Sequence, residues 1–480
     1  MNKFTRTKTK IVATLGPSTS TYESIKGLVD AGATMFRINT SHETMEAHAA
    51  RIEIVRKIEK DLKKFIPILI DLQGPKIRIG NLKEPLKIEA GMEFYLEHMM
   101  EQKENGIIPV DYKGIVNDVK IGDKILLDDG KIELIVIEIL KTRIRVRVIR
   151  GELLKSRKGL NLPGSTGSLA AVTDRDEEFI KFAIEQKADY IALSFVRESC
   201  DVILAKKYIQ KFGGNIPVIA KIEKPQALDN LTSIMHESDG IMVARGDLGI
   251  EMSPEQVPLA QKVMIEEAIK TRKVCIVATQ MLESMIEEPI PTRAEASDVA
   301  NAILDGTDAV MLSGETAMGK YPKEAVAMMK MIANNIESSN FSLCDLDLEI
   351  NENYEITPQA IANAAVKMAQ DLGARAIFTF THTGYTPRLL SKLKPSVPII
   401  AISDEEKTCR KLSLYWDIQP VCKNWDTVLD KKLLDKIDNF IYKYTDFQKD
   451  ERIIIIGSIP KLITGRTNFI RVHRIGATQM

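Results

Sequence analysis

Residues 217 to 251 read PVIAKIEKPQALDNLTSIMHESDGIMVARGDLGIE, and this stretch decides how the rest of the chain is organised. It holds two short apolar segments, each of which ends in ionisable residues that buried strands do not normally carry. In the first segment Lys221 and Glu223 are two residues apart, so on a strand their side chains point to the same face. The second segment runs into Gly246 and Asp247, which predicts a strand end that turns at the glycine.

These residues predict a metal site. Lys221 supplies a cation, and Glu223 and Asp247 supply two carboxylates at the ends of neighbouring strands. Carboxylate oxygens are hard ligands that suit a divalent cation, and the lysine adds a fixed positive charge beside it. The competing interpretation is an ion-paired strand edge, which the flanking apolar residues weaken. The combination suits chemistry on a phosphate or an enolate.

Apolar runs of strand length recur along the chain, and there are eight of them. Stretches with helical periodicity, such as AHAARIEIVRKIEKDLKK, lie between them. Continuous apolar strands alternating with helices are typical of parallel sheets, and eight such units predict an α/β fold with a closed (β/α)8 barrel. The runs are residues 11–16, 34–41, 65–71, 190–196, 217–223, 240–247, 274–280 and 309–315.

The chemistry of such a barrel sits at the C-terminal ends of its strands. Polar residues fall at those ends in this chain. They are Arg37, Asn39, Asp71, Ser194, Lys221, Glu223, Asp247, Thr279, Ser313 and Glu315.

The spacing of the runs breaks once, between the third and the fourth. The intervening sequence alternates in strand fashion, in KIELIVIEIL and RIRVRVIR, with a hairpin signal at residues 128–130. We predict an inserted small β-barrel over residues 74–160, with both roots at the catalytic face of a barrel that spans residues 1–73 and 161–338. Such a domain can close as a lid and exclude water.

A polar, acidic linker follows Ser338, and a new alternation of helices and short strands follows the linker. The strand segments are AIFTF, PIIAIS, RIIIIGS and TNFIRVHRI. They predict a third domain, an open-sheet α/β domain over residues 355–480.

Composition excludes some classes of partner. The 66 basic side chains equal the 66 acidic ones, so no global field recruits nucleic acid or an anionic membrane. The five cysteines lack metal-ligand spacing, which favours reduced thiols and a cytoplasmic compartment. No signal peptide and no run long enough to span a bilayer is apparent, so we expect a soluble protein.

A second group of polar residues ends the second and third strands. Arg37 offers a fork for phosphate, and Asn39, Ser41 and Asp71 offer oxygen donors for a phosphoryl group or a monovalent cation. Taken singly, each of these residues could equally be a polar residue of the barrel whose hydrogen bonds are all made within the protein.

Thr279 at the end of the seventh strand is either a strand-end cap or a contact for a substrate carboxylate. The backbone N–H groups of Gly246 and Asp247 form a candidate anion site ahead of a helix. Ser313 and Glu315 are either part of a helix cap or a proton relay.

The six histidines show no ligand spacing. We expect His48 and His98 to face solvent, and only His42, beside the Arg37 group, suggests a nucleotide contact. Residues 381–386, THTGYT, lie between a strand and a helix, which suits a phosphate cradle or an ordinary capped turn.

Taken jointly and in order, the motifs of the chain resemble the pyruvate kinase family over nearly the full length. The matching segments are KIVATLGPST, RINTSH, DLQGPKIRIG, KGLNLPG, ALSFVR, AKIEK, VARGDLGIE, ATQMLESM, PTRAEASDVANA and LSGETAMGKYP. The resemblance implies a (β/α)8 barrel with a β lid after its third strand and a C-terminal regulatory domain, in agreement with the domains predicted above.

The resemblance also implies the reaction, phosphoryl transfer from phosphoenolpyruvate to ADP giving pyruvate and ATP, the last step of glycolysis. Glu223 and Asp247 would hold Mg²⁺ or Mn²⁺, and Lys221 would stabilise the transferring phosphoryl group and the enolate. Arg37 would clamp the phosphoryl oxygens, whereas Gly246, Asp247 and Thr279 would hold the substrate carboxylate.

Further roles follow from the same resemblance. Arg78 and Lys158, at the roots of the lid, would reach the nucleotide phosphates, and Asn39 and His42 would lie on the nucleotide side. Thr279, Ser313, Glu315 or a linked water would protonate the enolate carbon, and the sequence leaves the choice open.

One departure concerns the monovalent cation. The family's commoner third-strand motif reads DTKGPEIRTG, with K⁺ held by positions that match Asn39, Ser41, Asp71 and Leu72. This chain has Lys76 in place of the glutamate, and its ammonium would supply the charge of the ion. The chain therefore resembles the K⁺-independent branch, and we expect that K⁺ is not required.

In the C-terminal domain, Thr381, Thr383, Gly384 and Thr386 match the family's effector loop, and residues 465–468 lie near its closing loop. The match implies allosteric regulation by a sugar phosphate or a nucleotide, and the family is usually a homotetramer.

Two other functions stay open at this point. One is a Mg²⁺-dependent, enolate-forming pyruvate aldolase, against which the large lid and Lys158 argue because an aldolase needs no nucleotide clamp. The other is a non-catalytic metabolite-sensing regulator, against which the joint presence of lysine, carboxylates, arginine and threonine argues.

Overall fold

The computed structural model describes residues 8–164, 169–339, 355–425, 431–458 and 467–477. Eight parallel strands of this part of the chain close into a barrel in which the ring order follows the chain order. The last strand pairs with the first, Lys10 lying opposite Ala309. The predicted barrel is confirmed. Its strands are Lys10–Leu15, Met35–Asn39, Ile68–Asp71, Tyr190–Leu193, Val218–Ile222, Gly240–Ala244, Val274–Ala278 and Ala309–Leu312.

Alternate residues of each strand face opposite sides, and both sides are apolar. Side chains such as Val12, Met35 and Met242 fill the inside of the barrel, whereas neighbours such as Ile11 and Ala13 pack against the surrounding helices. This double burial is why the strands read as continuous apolar runs. The α-helices around the barrel are Tyr22–Ala31, Met45–Leu62, Asp174–Glu185, Ser199–Lys211, Pro225–Asp229, Leu231–Glu237, Arg245–Glu251, Val257–Lys270, Arg293–Leu304, Gly314–Ala317 and Pro322–Glu337.

The predicted inserted domain is a curled six-stranded sheet with a separate two-stranded ribbon. Its predicted hairpin is present, because Lys124–Leu127 pairs antiparallel with Ile132–Ile139 and residues 128–130 between them all have positive φ. The six strands are Glu93–His98, Ile107–Val110, Lys124–Leu127, Ile132–Ile139, Arg143–Arg150 and Leu160–Asn161, and the ribbon is Leu86–Lys87 with Leu153–Leu154.

The C-terminal domain is an open sheet, as predicted, and its described residues form five strands where the sequence indicated four. Its strand order is Ile418–Cys422, Ile399–Ser403, Ile377–Phe380, Arg452–Gly457 and Phe469–Arg474, the last strand antiparallel to its neighbour. Its helices are Ile356–Asp371, Tyr385–Lys392, Glu406–Leu412 and Lys431–Tyr444. The predicted linker lies largely outside the described residues, and the exact domain boundaries stay predictions.

The C-terminal domain docks on the N-terminal ends of the barrel strands, opposite the catalytic face. Lys392 of one of its helices forms an ion pair with Asp308, which precedes the eighth strand, and both side chains are fully buried. The hydroxyl of Tyr190, at the start of the fourth strand, donates to the carbonyl oxygen of Lys411 at 2.7 Å. Charged and polar contacts therefore tie the two domains together. Among the described helices, none is long and apolar enough to cross a membrane.

The buried pair predicts a stability effect. Replacing Lys392 by methionine leaves the Asp308 carboxylate buried without its charge partner, so we expect the free energy of unfolding to fall by about 3 to 5 kcal/mol. Lys270→Met is the control, because Lys270 forms an exposed pair with Glu266 that is worth less than about 1 kcal/mol. Denaturant titrations of both variants measure the difference, and equal losses would contradict the prediction.

Candidate active site

Lys221 lies at the centre of the catalytic face. Its ammonium is 2.8 Å from Glu223 Oε1 and 3.3 Å from Asp71 Oδ1, and it donates to Ser194 Oγ at 2.7 Å. The side chain is 11% exposed, so the ammonium reaches the surface of the site while its stem is enclosed. Three neighbouring strands thus converge on one cation.

Burial and ion pairing act in opposite directions on these groups. Burial disfavours the charged ammonium, but the carboxylates of Asp71 and Glu223 outweigh it and raise the pKa of Lys221. For Asp71 burial is also the largest influence, yet Lys221 and Arg37 together lower the pKa of its carboxyl group. Both groups are therefore charged at neutral pH, and the site holds a fixed positive charge.

Arg37, on the second barrel strand, lies beside Lys221. Its Nε donates to Asp71 Oδ2 at 2.6 Å and its Nη1 donates to Thr14 Oγ1 at 3.1 Å. The carboxylate of Asp71 thus bridges Arg37 and Lys221 and aligns two cations at one end of the barrel. Such a pair suits the oxygens of a phosphoryl group. Thr14 helps to hold Arg37 but was not expected from the sequence, because a threonine near the end of a strand does not by itself indicate a site residue.

Glu223 and Asp247 are the carboxylates available to a metal. Glu223 is 1% exposed, and burial raises its pKa to about 7, although Lys221 acts in the opposite direction and Asp247 adds to the rise. Phe195, whose φ is 54°, donates its N–H to Glu223 Oε2 at 2.7 Å and orients the group. Two carboxylates that repel each other fit a hard divalent cation, which relieves the repulsion.

Within the described residues, no group of three or more histidine, cysteine, aspartate or glutamate side chains is placed to hold a metal ion. Two protein carboxylates and oxygens from substrate and water are the ligand set that Mg²⁺ commonly takes at phosphoryl-transfer sites. The donor set therefore fits Mg²⁺ or Mn²⁺ bound together with a substrate.

Thr279 is held in a strained conformation at the end of the seventh strand. Its φ is 67°, a left-handed value that is rare for a β-branched residue, and Gln280 after it has a φ of 51°. Thr279 Oγ1 accepts the N–H of Gly246 at 2.7 Å and donates to Ala278 O at 2.6 Å. The Thr279 hydroxyl therefore faces Gly246 at the end of the sixth strand. Both residues were expected from the sequence to contact a substrate carboxylate.

The predicted turn at Gly246 is wrong, because the helix Arg245–Glu251 begins directly after the strand and includes this glycine. Arg245, which was not expected from the sequence to be a site residue, explains the conformation of the neighbouring loop. Its guanidinium donates to the carbonyl oxygens of Thr279 at 2.7 Å and Gln280 at 3.1 Å, and it pairs with Asp298. The arginine therefore stabilises the strained loop after the seventh strand. Its position at a strand end was the only available signal.

Glu315 and Ser313 lie at the end of the eighth strand. Glu315 is 1% exposed, and burial raises its pKa. Both of its oxygens accept backbone N–H groups, from Leu282 at 3.1 Å and from Ser313 at 2.7 Å. Ser313 Oγ is shielded from solvent and has no hydrogen-bond partner among the described residues. The carboxylate therefore ties two loops together, and the serine hydroxyl is available to another group.

The predicted monovalent-cation region lies along the second and third strands. Asn39 Oδ1 accepts the N–H of Ser41 at 3.1 Å. Leu72 is buried, and its carbonyl oxygen accepts the hydroxyl of Ser194 at 2.7 Å, so only backbone oxygen is offered at this position. Lys76 lines the cleft between barrel and inserted domain, and its ammonium makes no ion pair or hydrogen bond with a described residue.

The inserted domain joins the barrel through two adjacent segments. Ile79 donates to the carbonyl oxygen of Lys158, and Leu160 donates to that of Ile77, both at 2.9 Å. The two predicted phosphate-contacting side chains are engaged within the inserted domain. Lys158 pairs with Asp128 at 2.8 Å, and Arg78 Nη1 donates to the carbonyl oxygen of Arg157 at 3.2 Å.

A cleft separates the two domains. Asp129, Asn161 and Lys76 line one side, and Lys224 and Asp247 line the other. Of the site residues expected from the sequence, Lys76 and Asp247 line this cleft, whereas Arg78 and Lys158 do not.

Of the three histidines considered from the sequence, two are exposed and one is buried. The side chain of His42 is exposed to solvent on one side, and its partial burial together with the charges of Arg78 and Lys76 lowers its pKa. His98 is exposed as predicted. The prediction for His48 is wrong, because it is 1% exposed, its ring lies 6.1 Å from that of Phe179, and its Nε2 lies 3.0 Å from the carbonyl oxygen of His42. Its place in the helix Met45–Leu62 puts it on the face that packs against the barrel.

The candidate effector loop, residues 381–386, runs into the first turn of the helix Tyr385–Lys392. Thr381 Oγ1 accepts the N–H of Gly384, whose φ is 83°, at 2.8 Å. Thr386 Oγ1 is hydrogen-bonded to Thr467 Oγ1, and Thr383 is exposed. Residues 465 and 466 of the predicted closing loop lie outside the described residues. The loop is an ordered turn with its hydroxyls near a helix N-terminus.

Comparison with known proteins links this geometry to a family. The family model described as pyruvate kinase, barrel domain, matches residues 6–326, and the model described as pyruvate kinase, alpha/beta domain, matches residues 359–473. The two matched regions correspond to the barrel with its inserted domain and to the C-terminal domain.

Curated relatives and a solved structure agree with the family models. Pyruvate kinases of Staphylococcus aureus strains USA300 and bovine RF122 / ET3-1 are each 40% identical over 476 residues, which is 98% of this chain and 80% of each relative. A crystal structure of a pyruvate kinase from Cryptosporidium parvum superposes with a TM-score of 0.90 at 34% identity, covering 98% of this chain and 96% of that one. Neither the aldolase nor the regulator finds support in these comparisons.

Proposed function

The chain belongs to the pyruvate kinase family, and from this membership we propose how its residues carry out phosphoryl transfer from phosphoenolpyruvate to ADP. The products are pyruvate and ATP. The observation that carries the proposal is the position of Lys221, whose ammonium lies within 3.3 Å of two buried carboxylates at the catalytic end of the barrel. ADP-dependent release of pyruvate, measured with and without Mg²⁺ and K⁺, tests the function directly.

Lys221 and Arg37 stabilise the group in transfer. The phosphoryl group spreads negative charge over its oxygens in the transition state, and the enolate oxygen gains charge as the bond to phosphorus breaks. Asp71 holds both cations in place before substrate arrives, at 2.6 Å and 3.3 Å, so little reorganisation is needed during reaction. Electrostatic stabilisation by preorganised charges, in a site from which water is largely excluded, is usually the largest contribution to the rate enhancement of an enzyme.

Thr279 and Gly246 position the substrate carboxylate, together with Asp247. In the present arrangement the N–H of Gly246 donates to Thr279 Oγ1 at 2.7 Å, and a bound carboxylate would take this donor and the hydroxyl. Arg245 stabilises the strained backbone that presents the threonine. Strain of this kind is found where geometry serves a site, and it supports a functional role for the loop.

Enzymes of this family generally use Mg²⁺, and we propose that Glu223 and Asp247 hold it or Mn²⁺. When bound, the ion supplies Lewis-acid stabilisation of negative charge on the substrate oxygens. The N–H of Phe195 fixes the orientation of Glu223, which must be ionised to act as a ligand.

The raised pKa of Glu223 gives a testable pH dependence. Its value of about 7 means that protons compete with the metal below neutrality, so affinity for Mn²⁺ falls as the pH falls. We expect a loss of about tenfold per pH unit below 7 in Mn²⁺ binding without substrate, measured by electron paramagnetic resonance. Glu223→Gln should remove the affinity, and Glu255→Gln, at an exposed residue, should not. Binding that is flat between pH 6 and pH 8 would contradict the assignment.

Lys76 takes the place of a monovalent cation in our proposal. Its ammonium has no carboxylate partner among the described residues and lines the cleft near Asp247. Burial and the charges of Arg78 and Lys76 lower the pKa of His42, which supports a position of the lysine's charge close to the segment that contains Asn39 and Ser41. We propose on this ground that K⁺ is not required.

Nucleotide binding requires the inserted domain to close in our proposal. Lys158 and Arg78 are engaged within that domain, and closure over the cleft would bring them to the phosphates of ADP, with Asn39 and His42 on the same side. The two segments that join the inserted domain to the barrel are hydrogen-bonded to each other through their backbones. They would therefore act together as one hinge.

Protonation of the enolate carbon involves the seventh and eighth strand ends. The candidates are Thr279, Ser313 and Glu315, or a linked water. Ser313 Oγ lacks a partner among the described residues, whereas both oxygens of Glu315 already accept backbone N–H groups. We propose that Ser313 carries the proton path and that Glu315 holds the loops that position it.

The effector loop gives a further proposal. Thr381, Thr383, Gly384 and Thr386 would bind the phosphate of a sugar phosphate or nucleotide, because the hydroxyl-bearing Thr383 is exposed and the loop leads into the N-terminus of the helix Tyr385–Lys392. Titrating such compounds at subsaturating phosphoenolpyruvate should shift its half-saturating concentration. Thr386→Val should weaken the shift, and the absence of any shift across the set would count against the loop.

Assembly and compartment are also proposals. The family is usually a homotetramer, and exposed apolar side chains such as Leu259 and Val263 on the helix Val257–Lys270 support association of copies. The described cysteines are free thiols, which supports a reducing, cytoplasmic environment.

A further inference from the structure

A second cavity lies between the barrel and the C-terminal domain, on the side opposite the catalytic face. It has a volume of about 480 Å³, within the range of small-molecule sites. Tyr190 and Pro217, at the starts of the fourth and fifth strand segments, line its barrel side, and Arg388, Lys411 and Tyr415 line the other. None of the residues assigned to the catalytic site lines it.

The charges around this cavity are unbalanced. Its lining contains three cations, Lys206, Arg388 and Lys411, and one carboxylate, Asp239. Lys206 already neutralises Asp239, because the two groups are 3.2 Å apart. The remaining excess is the charge of Arg388 and Lys411, both of which belong to the C-terminal domain.

Lys411 makes no ion pair and donates no hydrogen bond from its ammonium to any described residue. It is only partly exposed, and burial together with the nearby Lys407 lowers its pKa although the carboxylates of Asp239 and Asp189 act in the opposite direction. A half-buried, unpaired ammonium is an unfavourable arrangement unless an anion joins it. Arg388 has its Nε 3.2 Å from the carbonyl oxygen of Gly384 and a hydrogen bond with Tyr415, which leaves further guanidinium N–H groups without a carboxylate.

Neutral polar groups complete the lining. Gln210 and Asn215 line the cavity from the barrel, and Thr383 and Thr408 line it from the C-terminal domain. Amides and hydroxyls of this kind recognise the hydroxyl groups of a polyol or sugar. The cavity thus offers two unneutralised cations and a set of hydrogen-bonding groups of the type that a phosphorylated polyol needs.

We propose that this interdomain cavity binds a small phosphate monoester of a polyol or sugar, with its dianionic phosphate between Arg388 and Lys411. The charge of a phosphate monoester at neutral pH matches the excess of two positive charges. The site is separate from the candidate effector loop, although it touches that loop through Thr383. Occupancy links the barrel to the C-terminal domain, because each supplies part of the lining.

Calorimetric titration of the full chain with glycerol 3-phosphate, in a buffer free of phosphate, tests the site. We expect binding to the wild type, no binding of glycerol, and binding weakened by about tenfold or more in Lys411→Met, because a charge-assisted contact is lost. Lys207→Met is the matched control, since Lys207 is the exposed neighbour of Lys206 and does not line the cavity. It should bind as the wild type does.

Two more variants separate this cavity from the other phosphate sites. Lys221→Met and Thr386→Val should retain binding of glycerol 3-phosphate, because they alter the catalytic site and the effector loop. Gln210→Glu places a carboxylate at an exposed position of the lining and should weaken binding as Lys411→Met does, without disturbing buried residues.

The proposal is overturned if the wild type does not bind glycerol 3-phosphate. It is equally overturned if binding is lost in Lys221→Met or Thr386→Val, or if it survives in folded Lys411→Met or Gln210→Glu. Circular dichroism of each variant establishes that it is folded.

Discussion

Lys221→Met should lower kcat for pyruvate release by roughly 10²- to 10³-fold, because the substitution removes the preorganised cation that faces the phosphoryl group and the enolate. The methionine keeps the length of the stem, which is enclosed, and removes only the ammonium that contacts Glu223, Asp71 and Ser194. Steady-state assays with phosphoenolpyruvate, ADP and Mg²⁺ measure the change.

Two controls separate lost catalysis from a lost fold. Lys207→Met changes an exposed lysine of the helix Ser199–Lys211 and should keep wild-type activity. The Lys221→Met enzyme should still bind Mn²⁺ at alkaline pH, because Glu223 and Asp247 are unchanged, whereas loss of the lysine raises the pKa of Glu223 and lets protons compete more strongly near neutrality. Activity within a few fold of the wild type would overturn the assigned role of Lys221.

The second large effect concerns Lys76. The wild-type enzyme should work equally well with K⁺ and with a tetraalkylammonium salt, because the ammonium of Lys76 supplies the local positive charge. Lys76→Glu should lose about tenfold or more of its activity without K⁺, since losing that charge raises the barrier by at least about 1.4 kcal/mol. Added K⁺ should restore much of the loss.

The matched control is Lys83→Glu, which makes the same charge change at an exposed lysine away from the cleft. It should remain indifferent to K⁺. Strong activation of the wild type by K⁺ would refute the substitution of Lys76 for the ion, and so would a Lys76→Glu enzyme that K⁺ does not rescue.

Local sequence predicted some elements well and others poorly. The strand Ile418–Cys422 was missed, because four of its five residues are only half-buried and it contains Gln419 and Pro420, which are atypical of a central strand. Its edge position in the sheet makes both tolerable. His48 was misplaced because a histidine on an amphipathic helix gives no sign of which face it occupies when the flanking residues are small.

Among the site residues, too, some were expected from the sequence and others were missed. Polar side chains at barrel strand ends were found because the run of apolar residues stops there, as at Lys221 and Asp247. Arg245 and Thr14 were missed because their importance lies in what they contact. Arg245 holds the carbonyl oxygens of Thr279 and Gln280, more than 30 residues later in the chain.

Local sequence patterns account for the succession of βα units, the inserted β-domain and the candidate polar residues, since strand and helix periods are local properties of the chain. Which of these residues contact one another follows from the packing of the folded chain. The pairing of Lys221 with Asp71 depends on closing the barrel, and the cavity between Tyr190 and Lys411 depends on docking a separate domain. Contacts between residues so distant along the chain depend on how whole elements pack, which no local pattern encodes.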